Sequence, residues 1–352
     1  MLRKIFTAIV IVVGSFSSVF SQDSTAKSGT LAITGSVDAY YRFNFQNAKD
    51  SGRTNNLTSF TNSQNSFELG MASVKAEYSV GKVDGVLDLG FGKRANEFSY
   101  NESGALTAIK QAYVSYAPSD KVKFTMGKWA THVGYELLDA YLNRNYSMDY
   151  MFSYGPFFHT GLKADITASK NFALMVGVAN PSDMLSASFS KKFFLGQVHI
   201  TSTSTKVNAY LNYVGGKDPG DNSVNQFDAV VTGIISDKFN IGYNGTVKSV
   251  KPSKGSSDSW WGSALYFNYD PTSMFGLTLR GEYFGDKKGV AGLYNNIFDA
   301  TLSANIKVDN LTIIPEFRVD SGKYPLFYKN ADTNSPTSKG TGTFILAAAY
   351  HF

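Results

Sequence analysis

The sequence predicts an all-β protein that closes into a transmembrane antiparallel β-barrel of about 16 strands. Three observations lead to this fold class: repeated segments in which apolar and polar side chains alternate, connections that are alternately short and long, and the lack of a long apolar segment after the N-terminus. A membrane-spanning helix needs about 18 or more consecutive apolar residues. If this chain crosses a membrane, it must therefore cross it with strands.

The alternating segments follow one another along nearly the whole chain, and the composition agrees with a barrel. Tyr (21) and Phe (27) are abundant, and charged residues make up only 17% of the chain, against about a quarter in soluble domains. A single barrel can use 352 residues, because barrels grow by adding strands. We predict strands at residues 31–46, 64–80, 83–93, 106–117, 121–129, 156–169, 171–180, 185–202, 206–215, 224–235, 238–248, 259–270, 273–284, 294–308, 310–319 and 342–352.

The connections between these strands alternate in length, as in outer-membrane barrels. Short turns fall at 81–82, 118–120, 170, 203–205, 237, 271–272 and 310. Longer polar loops fall at 47–63, 94–105, 130–155, 181–184, 216–223, 249–258, 285–293 and 320–341. An even strand count places both termini beside the short periplasmic turns and the long loops outside the cell. A soluble sandwich or propeller is the alternative, but neither explains the alternation.

Each predicted strand has one apolar face and one polar face. Between residues 294 and 308, for example, Phe298, Leu302 and Ile306 alternate with polar residues. The backbone must be fully hydrogen-bonded in a bilayer, so the sheet closes with its apolar face toward lipid. Polar residues in a dry interior would be costly, and about 16 strands leave room for water. We therefore predict a wet lumen with nearly balanced charges and at most a weak cation preference. Its predicted pore-lining residues include Arg280, Glu282, Asp299, Lys307, Glu316 and Arg318.

The N-terminus has the pattern of a secretory signal peptide. Arg3 and Lys4 precede an apolar run at 5–13 and a small-residue cleavage pattern at 19–21. We predict a signal peptide at 1–21, a periplasmic lead at 22–30 and an outer-membrane barrel at 31–352. Cleavage would lower the net charge from +5 to +3, which gives no argument for a nucleic-acid partner. The chain has no cysteine, which excludes disulfides and a lipidated cysteine.

The C-terminal segment places Tyr350 and the final residue, Phe352, on one face of the last strand. Outer-membrane proteins commonly end in such a strand, which the outer-membrane assembly machinery recognises. We therefore predict this machinery as a partner. An ordinary edge strand that happens to stop at Phe352 is the alternative.

The third long loop, predicted at 130–155, contains the most distinctive motifs. A G-K-x-x-x-x-x-G-Y-E-x-x-D run covers 127–139, an Asn-rich centre with Tyr-Ser covers 143–147, and a G-P-x-x-H-T-G return covers 155–161. In these motifs, and more generally from residue 36 onward, the chain resembles the putative β-barrel porin-2 (OmpL-like) outer-membrane family of Bacteroidetes. Sixteen-stranded porins fold their third loop into the barrel, where it narrows the pore. We therefore expect the pore constriction at Glu136, Asp139, Arg144 and Asp149; the alternative is a surface cap with solvated charges.

These observations predict an outer-membrane porin that lets small hydrophilic solutes or ions diffuse through a water-filled channel. Membrane lipids and lipopolysaccharide would surround it, and analogy with sixteen-stranded porins suggests a homotrimer. A structural or complex-forming barrel without transport is the alternative. An outer-membrane hydrolase is less well supported, because no HExxH or GxSxG motif occurs. We predict no catalytic site, no metal site and no cofactor, since the histidines are scattered at His132, His159, His199 and His351.

Overall fold

A computed structural model describes residues 28–46, 53–330 and 335–352. Sixteen antiparallel strands form one closed barrel, in which each strand pairs with its neighbours in the sequence and the first strand pairs with the last. The strands are β1 Thr30–Asn44, β2 Ser66–Val80, β3 Val83–Phe91, β4 Ile109–Ser119, β5 Val122–Ala130, β6 Phe158–Ser169, β7 Phe172–Ala179, β8 Phe193–Thr201, β9 Val207–Lys217, β10 Ser223–Ser236, β11 Phe239–Lys251, β12 Asp258–Tyr269, β13 Phe275–Asp286, β14 Asn295–Val308, β15 Leu311–Gly322 and β16 Gly340–His351.

The predicted fold class and the count of sixteen strands are confirmed. The start of the eighth strand was predicted wrongly: residues 185–192 belong to the preceding long connection. In that connection, the Leu185 N–H donates to the Glu102 carboxylate (2.9 Å), and Phe189 has a φ of 63°, which a strand does not allow. The predicted signal peptide at 1–21 and all but the last three residues of the lead at 22–30 lie outside the described residues.

In the described parts of the long connections, two short helices and two 3₁₀ turns occur. The helices are α1, Lys93–Phe98, and α2, Tyr150–Tyr154, and the 3₁₀ turns cover Gly104–Ala108 and Ala140–Leu142. The first 3₁₀ turn includes residues 106–108, which the sequence pattern assigned to the start of the fourth strand. Within the three described ranges, no helix is long and apolar enough to cross a bilayer.

The alternation of side chains follows the predicted two faces. On β14, Leu302 is 49% exposed on the outer wall, whereas Thr301 and Ser303 on the inner wall are fully buried. Such an outer face is what a bilayer would cover. The buried inner face shows that the interior is not simply water, because other parts of the chain pack against it.

The barrel closes where the last residue meets the first strand. The Phe352 N–H donates to the Gly35 carbonyl (2.9 Å), and the Gly35 N–H donates to the Phe352 carbonyl (3.0 Å). A Cβ atom at Gly35 would lie 2.5 Å from the Phe352 ring and 2.6 Å from the Ser73 carbonyl oxygen. Only glycine therefore leaves room for the terminal ring beside this seam. The Phe352 ring is half exposed on the outer wall, next to that of Tyr350.

We expect Phe352→Ser to lower the fraction of folded barrel. Loss of the partly buried ring removes about 1 kcal/mol of stabilisation from apolar burial at the closing seam. Where the folded state is only marginally stable, this changes the ratio of folded to unfolded protein severalfold. The measurement compares unboiled and boiled samples on a gel, since a closed barrel resists detergent until it is heated. Phe189→Ser, at a fully exposed loop position, is the matched control. Equal folded fractions for both variants would contradict the role of the terminal ring.

Candidate functional site

The third long loop, residues 131–157, lies inside the barrel and crosses it. At one end, the Gly134 N–H donates to Asp228 on β10 (3.1 Å). Farther along, the Asn145 amide donates to Ser303 on β14 (2.7 Å). The Tyr146 hydroxyl donates to Asp38 on β1 (2.5 Å). These contacts reach strands on opposite sides of the barrel, so the loop runs across the interior.

Two arginines on the barrel wall hold the centre of this loop. Arg280 donates to the Glu136 carboxylate (2.6 Å), to the Ser147 carbonyl (2.7 Å) and to Asp299 (3.1 Å). Arg318 donates to the Met148 carbonyl (2.7 Å) and lies 2.6 Å from Asp299. Charge-assisted bonds of this kind are stronger than neutral ones. The two guanidinium groups therefore join the loop backbone to β13, β14 and β15.

Two carboxylates on the wall bind the loop backbone from the same side. Glu316 accepts from the N–H groups of Tyr146 (2.7 Å) and Ser147 (3.1 Å). Glu282 accepts from the N–H groups of Tyr150 (2.7 Å) and Met151 (3.0 Å). Buried N–H groups need such partners. Each carboxylate satisfies two adjacent donors, which fixes the loop's position along the wall.

The start of helix α2 completes the anchor. Asp149 precedes the helix, and its carboxylate accepts from the Phe152 N–H (2.6 Å) and from the Tyr266 hydroxyl (2.7 Å). The Asp149 N–H in turn donates to Glu136 (2.8 Å). An acidic residue in this position is a favourable helix N-cap. Asp320 accepts from Arg318 (2.8 Å). We call the set formed by Glu136, Asp149, Arg280, Glu282, Asp299, Glu316, Arg318 and Asp320 the anchor network.

The predicted constriction residues divide into two groups. Glu136 and Asp149 are buried in the anchor network. Asp139 and Arg144 lie outside it and remain partly exposed: Asp139 binds Lys110 (2.6 Å), and Arg144 forms a two-pronged pair with Asp270 (2.6 and 3.0 Å).

Of the six predicted pore-lining residues, five belong to the anchor network and are buried beneath the loop. Lys307 is exposed, near the short-turn end of β14. That the four constriction residues and the six pore-lining residues contact a passing solute stays a prediction. Seven of them belong to the anchor network, and their contacts hold the loop in place, which the sequence pattern did not predict.

Burial makes the charged forms of the loop carboxyls unfavourable. Burial, together with the neighbouring Asp149, raises the pKa of Glu136 to about 8 despite the attraction of Arg280. Burial also raises the pKa of Asp149. The anchor network holds six carboxyl groups against two guanidinium groups. Its proton content therefore influences how firmly the loop is held.

Aromatic side chains from three long loops fill another part of the interior. Phe60, Phe98, Phe152 and Phe157 form one buried cluster. The guanidinium of Arg94 lies 5.0 Å from the Phe60 ring centre. This cluster and the anchor network are buried, so they narrow the space that a solute could use.

Open space remains along the wall formed by β8 to β11. A lower cavity of about 300 Å³ lies between the beginning of the third loop and the wall residues Gln197, Tyr210, Asn212, Val230 and Thr232. Two adjoining spaces of about 560 and 430 Å³ lie nearer the long loops. We call these two spaces together the upper cavity. They share the lining residues Tyr100, Asp183, Lys248 and Val290.

The upper and lower cavities are stacked on the same strands. Gln226 on β10 lines the upper cavity and is paired with Val214. The next inward pair, Asp228 with Asn212, is at the level of the lower cavity. Successive inward-facing residues of a strand are about 7 Å apart along the strand. Phe157 borders both cavities, and so it lies at the barrier between them.

The wall at this barrier carries a row of hydrogen-bonded amides. Gln197 donates to Asn212 (2.8 Å), and Asn212 and Asn244 both donate to Asp228 (2.7 and 2.6 Å). The adjacent His132 donates from Nε2 to the Tyr213 carbonyl (3.2 Å). Burial lowers the pKa of His132 to about 4, and so its ring is neutral at pH 7. This row gives the wall a polar, locally satisfied surface.

We expect the third loop to be released as the pH rises. The pKa of Glu136 lies above its ordinary value of 4.5 only while the loop is docked. Between about pH 4.5 and 8, the docked loop therefore binds more protons than the released loop, and docking weakens with rising pH. Each unit of pKa shift corresponds to about a tenfold change in the docking equilibrium.

The measurement is the rate of chymotryptic cleavage at Tyr146 and Tyr150 in the folded barrel, divided at each pH by the rate for the unfolded chain. This ratio should increase about tenfold or more between about pH 5 and 9. Glu136→Gln, which cannot ionise, should flatten this dependence. Glu77→Gln, in a more exposed pair with Lys75, should leave it unchanged. Equal pH profiles for both variants would refute the mechanism.

Comparison with solved structures places the barrel among channels and porins by fold. DcaP, an outer membrane channel of Acinetobacter baumannii, has a TM-score of 0.63 and 12% identity over 93% of this chain and 99% of that chain. An anion-selective porin from Comamonas acidovorans has a TM-score of 0.61 and 9% identity over 92% and 100%. A trimer form of OmpT, an outer membrane protein of Vibrio cholerae, has a TM-score of 0.60 and 12% identity over 93% and 100%.

Likeness at these identities shows the fold alone. No curated protein matches the chain. The model of the family described as "Putative beta-barrel porin-2, OmpL-like" matches residues 30–352, which agrees with the motifs of the third loop. The chain therefore belongs to this family of outer-membrane β-barrel porins.

Proposed function

We propose that the protein is an outer-membrane porin through which small hydrophilic solutes diffuse along the β8–β11 wall, beside the docked third loop. The main support for this proposal is that the two cavities lie one above the other along the same strands. The levels of the two cavities are separated by two residues along each strand, from the Gln226–Val214 pair to the Asp228–Asn212 pair. The anchor network and the aromatic cluster fill other parts of the interior. A solute crossing the barrel would thus meet the polar wall on one side and the loop on the other.

The proposed barrier is formed by Phe157 and Gln226. The Phe157 N–H donates to Asp183 (2.6 Å), which holds the returning end of the loop. Gly155 faces Gln226, since a Cβ atom there would lie 3.6 Å from the Gln226 amide nitrogen. The Gln226 amide makes one long bond, to Thr246 (3.3 Å). Passage therefore needs only side-chain movement, and the barrel itself can stay rigid.

Several further properties belong to the same proposal. Cleavage after Ser21 would release the mature chain into the periplasm, and the assembly machinery would recognise the strand that ends at Phe352. Lipids and lipopolysaccharide would cover the apolar outer wall. The trimer form of OmpT supports a homotrimer by analogy of fold. We propose no catalytic role for any residue.

A structural barrel without transport is the second candidate. The buried aromatic cluster favours it, because four phenylalanines from three loops pack in the interior as in a soluble core. The two candidates differ in what they predict for Phe157. In a porin its ring limits the passage, and in a scaffold it only stabilises the loops.

We expect purified, refolded protein to conduct ions in planar bilayers, and we expect Phe157→Ala to raise the single-channel conductance. Phe284→Ala is the matched control, because Phe284 is equally buried but lies on β13, on the wall covered by the loop. Each substitution lowers the stability of the protein by about 3–5 kcal/mol. The two variants therefore differ in the position of the lost ring and not in the size of the destabilisation. A silent wild-type protein would favour the scaffold. Equal conductance of the two variants would place the barrier elsewhere.

A further inference from the structure

Lys248 on β11 extends into the upper cavity and lines both of its spaces. Among the described residues that line the upper and lower cavities, it is the only lysine or arginine. Its ammonium group has three donors. The one hydrogen bond found for it in the described chain is long, to the Tyr154 carbonyl (3.4 Å).

The carboxylates around Lys248 are engaged elsewhere. Asp183 accepts from the N–H groups of Phe157 (2.6 Å) and Phe158 (3.0 Å) and from the Tyr100 hydroxyl (3.1 Å). Glu97 accepts from the Phe60 N–H (2.6 Å) and from Asn62. No ion pair of Lys248 occurs within the described ranges. A half-buried ammonium normally has a counter-charge, because its desolvation is costly.

We propose that Lys248 binds the carboxylate of a small zwitterionic solute, an amino acid or a short peptide, above the Phe157 barrier. This inference rests on the proposed porin function and names the solute class. It also changes the expectation from the sequence, which was a weak cation preference set by nearly balanced wall charges.

The charges of the upper cavity select the zwitterion. Asp183, Glu97 and Asp218 also line it, and they retain oxygen lone pairs that can accept from an ammonium group. A simple anion would be repelled by these carboxylates, and a simple cation by Lys248. A solute that carries both charges pairs with both signs. The spaces of about 560 and 430 Å³ are in the range of small-molecule sites.

Apolar surface beside the charges would hold the body of the solute. Trp260 and Val290 line the same space as Lys248. Binding in the upper cavity would concentrate the solute above the barrier. Because transport also requires that the solute leave again, weak binding suits a channel. Lys248 is thus a specificity-determining residue of the proposed passage.

The test is the block of ion current through the wild-type channel by glycylglycine in planar bilayers. Acetate and glycinamide are the matched single-charge probes, and both should block more weakly. In Lys248→Met, half-maximal block by glycylglycine should need about 10- to 100-fold more peptide, the range expected for loss of a charge-assisted hydrogen bond. Lys254→Met, an exposed lysine in the loop after β11, should behave as wild type.

The outcomes separate this inference from the porin function. Conducting channels with equal block in Lys248→Met and wild type would refute the site and leave the porin intact, and so would block by acetate as strong as that by glycylglycine. If the wild-type protein does not conduct, the porin function fails. The site is then tested by the fluorescence of Trp260 during a glycylglycine titration in detergent, with Trp260→Phe to identify the signal. A titration lost in Lys248→Met supports the site, and an unchanged titration overturns it.

Discussion

The structure depends on the burial of charges between the third loop and one wall of the barrel. Arg280 would be costly to bury alone, and so would Glu136 and Asp299. Arg280 lies 2.6 Å from the Glu136 carboxylate and 3.1 Å from that of Asp299, and it also donates to the Ser147 carbonyl of the loop (2.7 Å). Because this contact fixes the loop, it also determines where the interior stays open. The two cavities, the proposed barrier at Phe157 and the half-buried ammonium of Lys248 all follow from it.

The barrel itself was predictable because its determinants are local. In a strand with one face toward lipid, an apolar side chain occurs at every second residue, and a short turn joins each strand to the strand beside it. Both signals can be seen in a short stretch of sequence. The prediction failed at 185–192, where apolar and polar residues alternate by chance within a loop. That loop is held by the long-range bond from Leu185 to Glu102 and by the left-handed backbone at Phe189. The short helices α1 and α2 were also missed, since their positions depend on packing inside the barrel and not on a periodic pattern.

The site was only partly predictable, because its contacts join distant parts of the chain. Glu136 and Arg280 are 144 positions apart, and no local pattern reveals that they pair. The sequence therefore predicted charges facing water where the structure buries them. Phe157 and Lys248 were not singled out. A signal did exist for Lys248, since it shares its parity with Asn244 and Thr246, which are polar inner-face residues on the same strand.

We propose that the docked loop closes one wall of the barrel and leaves the β8–β11 wall open to solutes. Since the chain has no cysteine, single cysteines can report on each wall during current recording. Thr232→Cys lies at the lower cavity, and Ser303→Cys lies behind the loop, where the serine is fully buried. We expect a charged methanethiosulfonate reagent to reduce the current through Thr232→Cys and to leave that of Ser303→Cys unchanged. Equally fast modification of Ser303→Cys would contradict it.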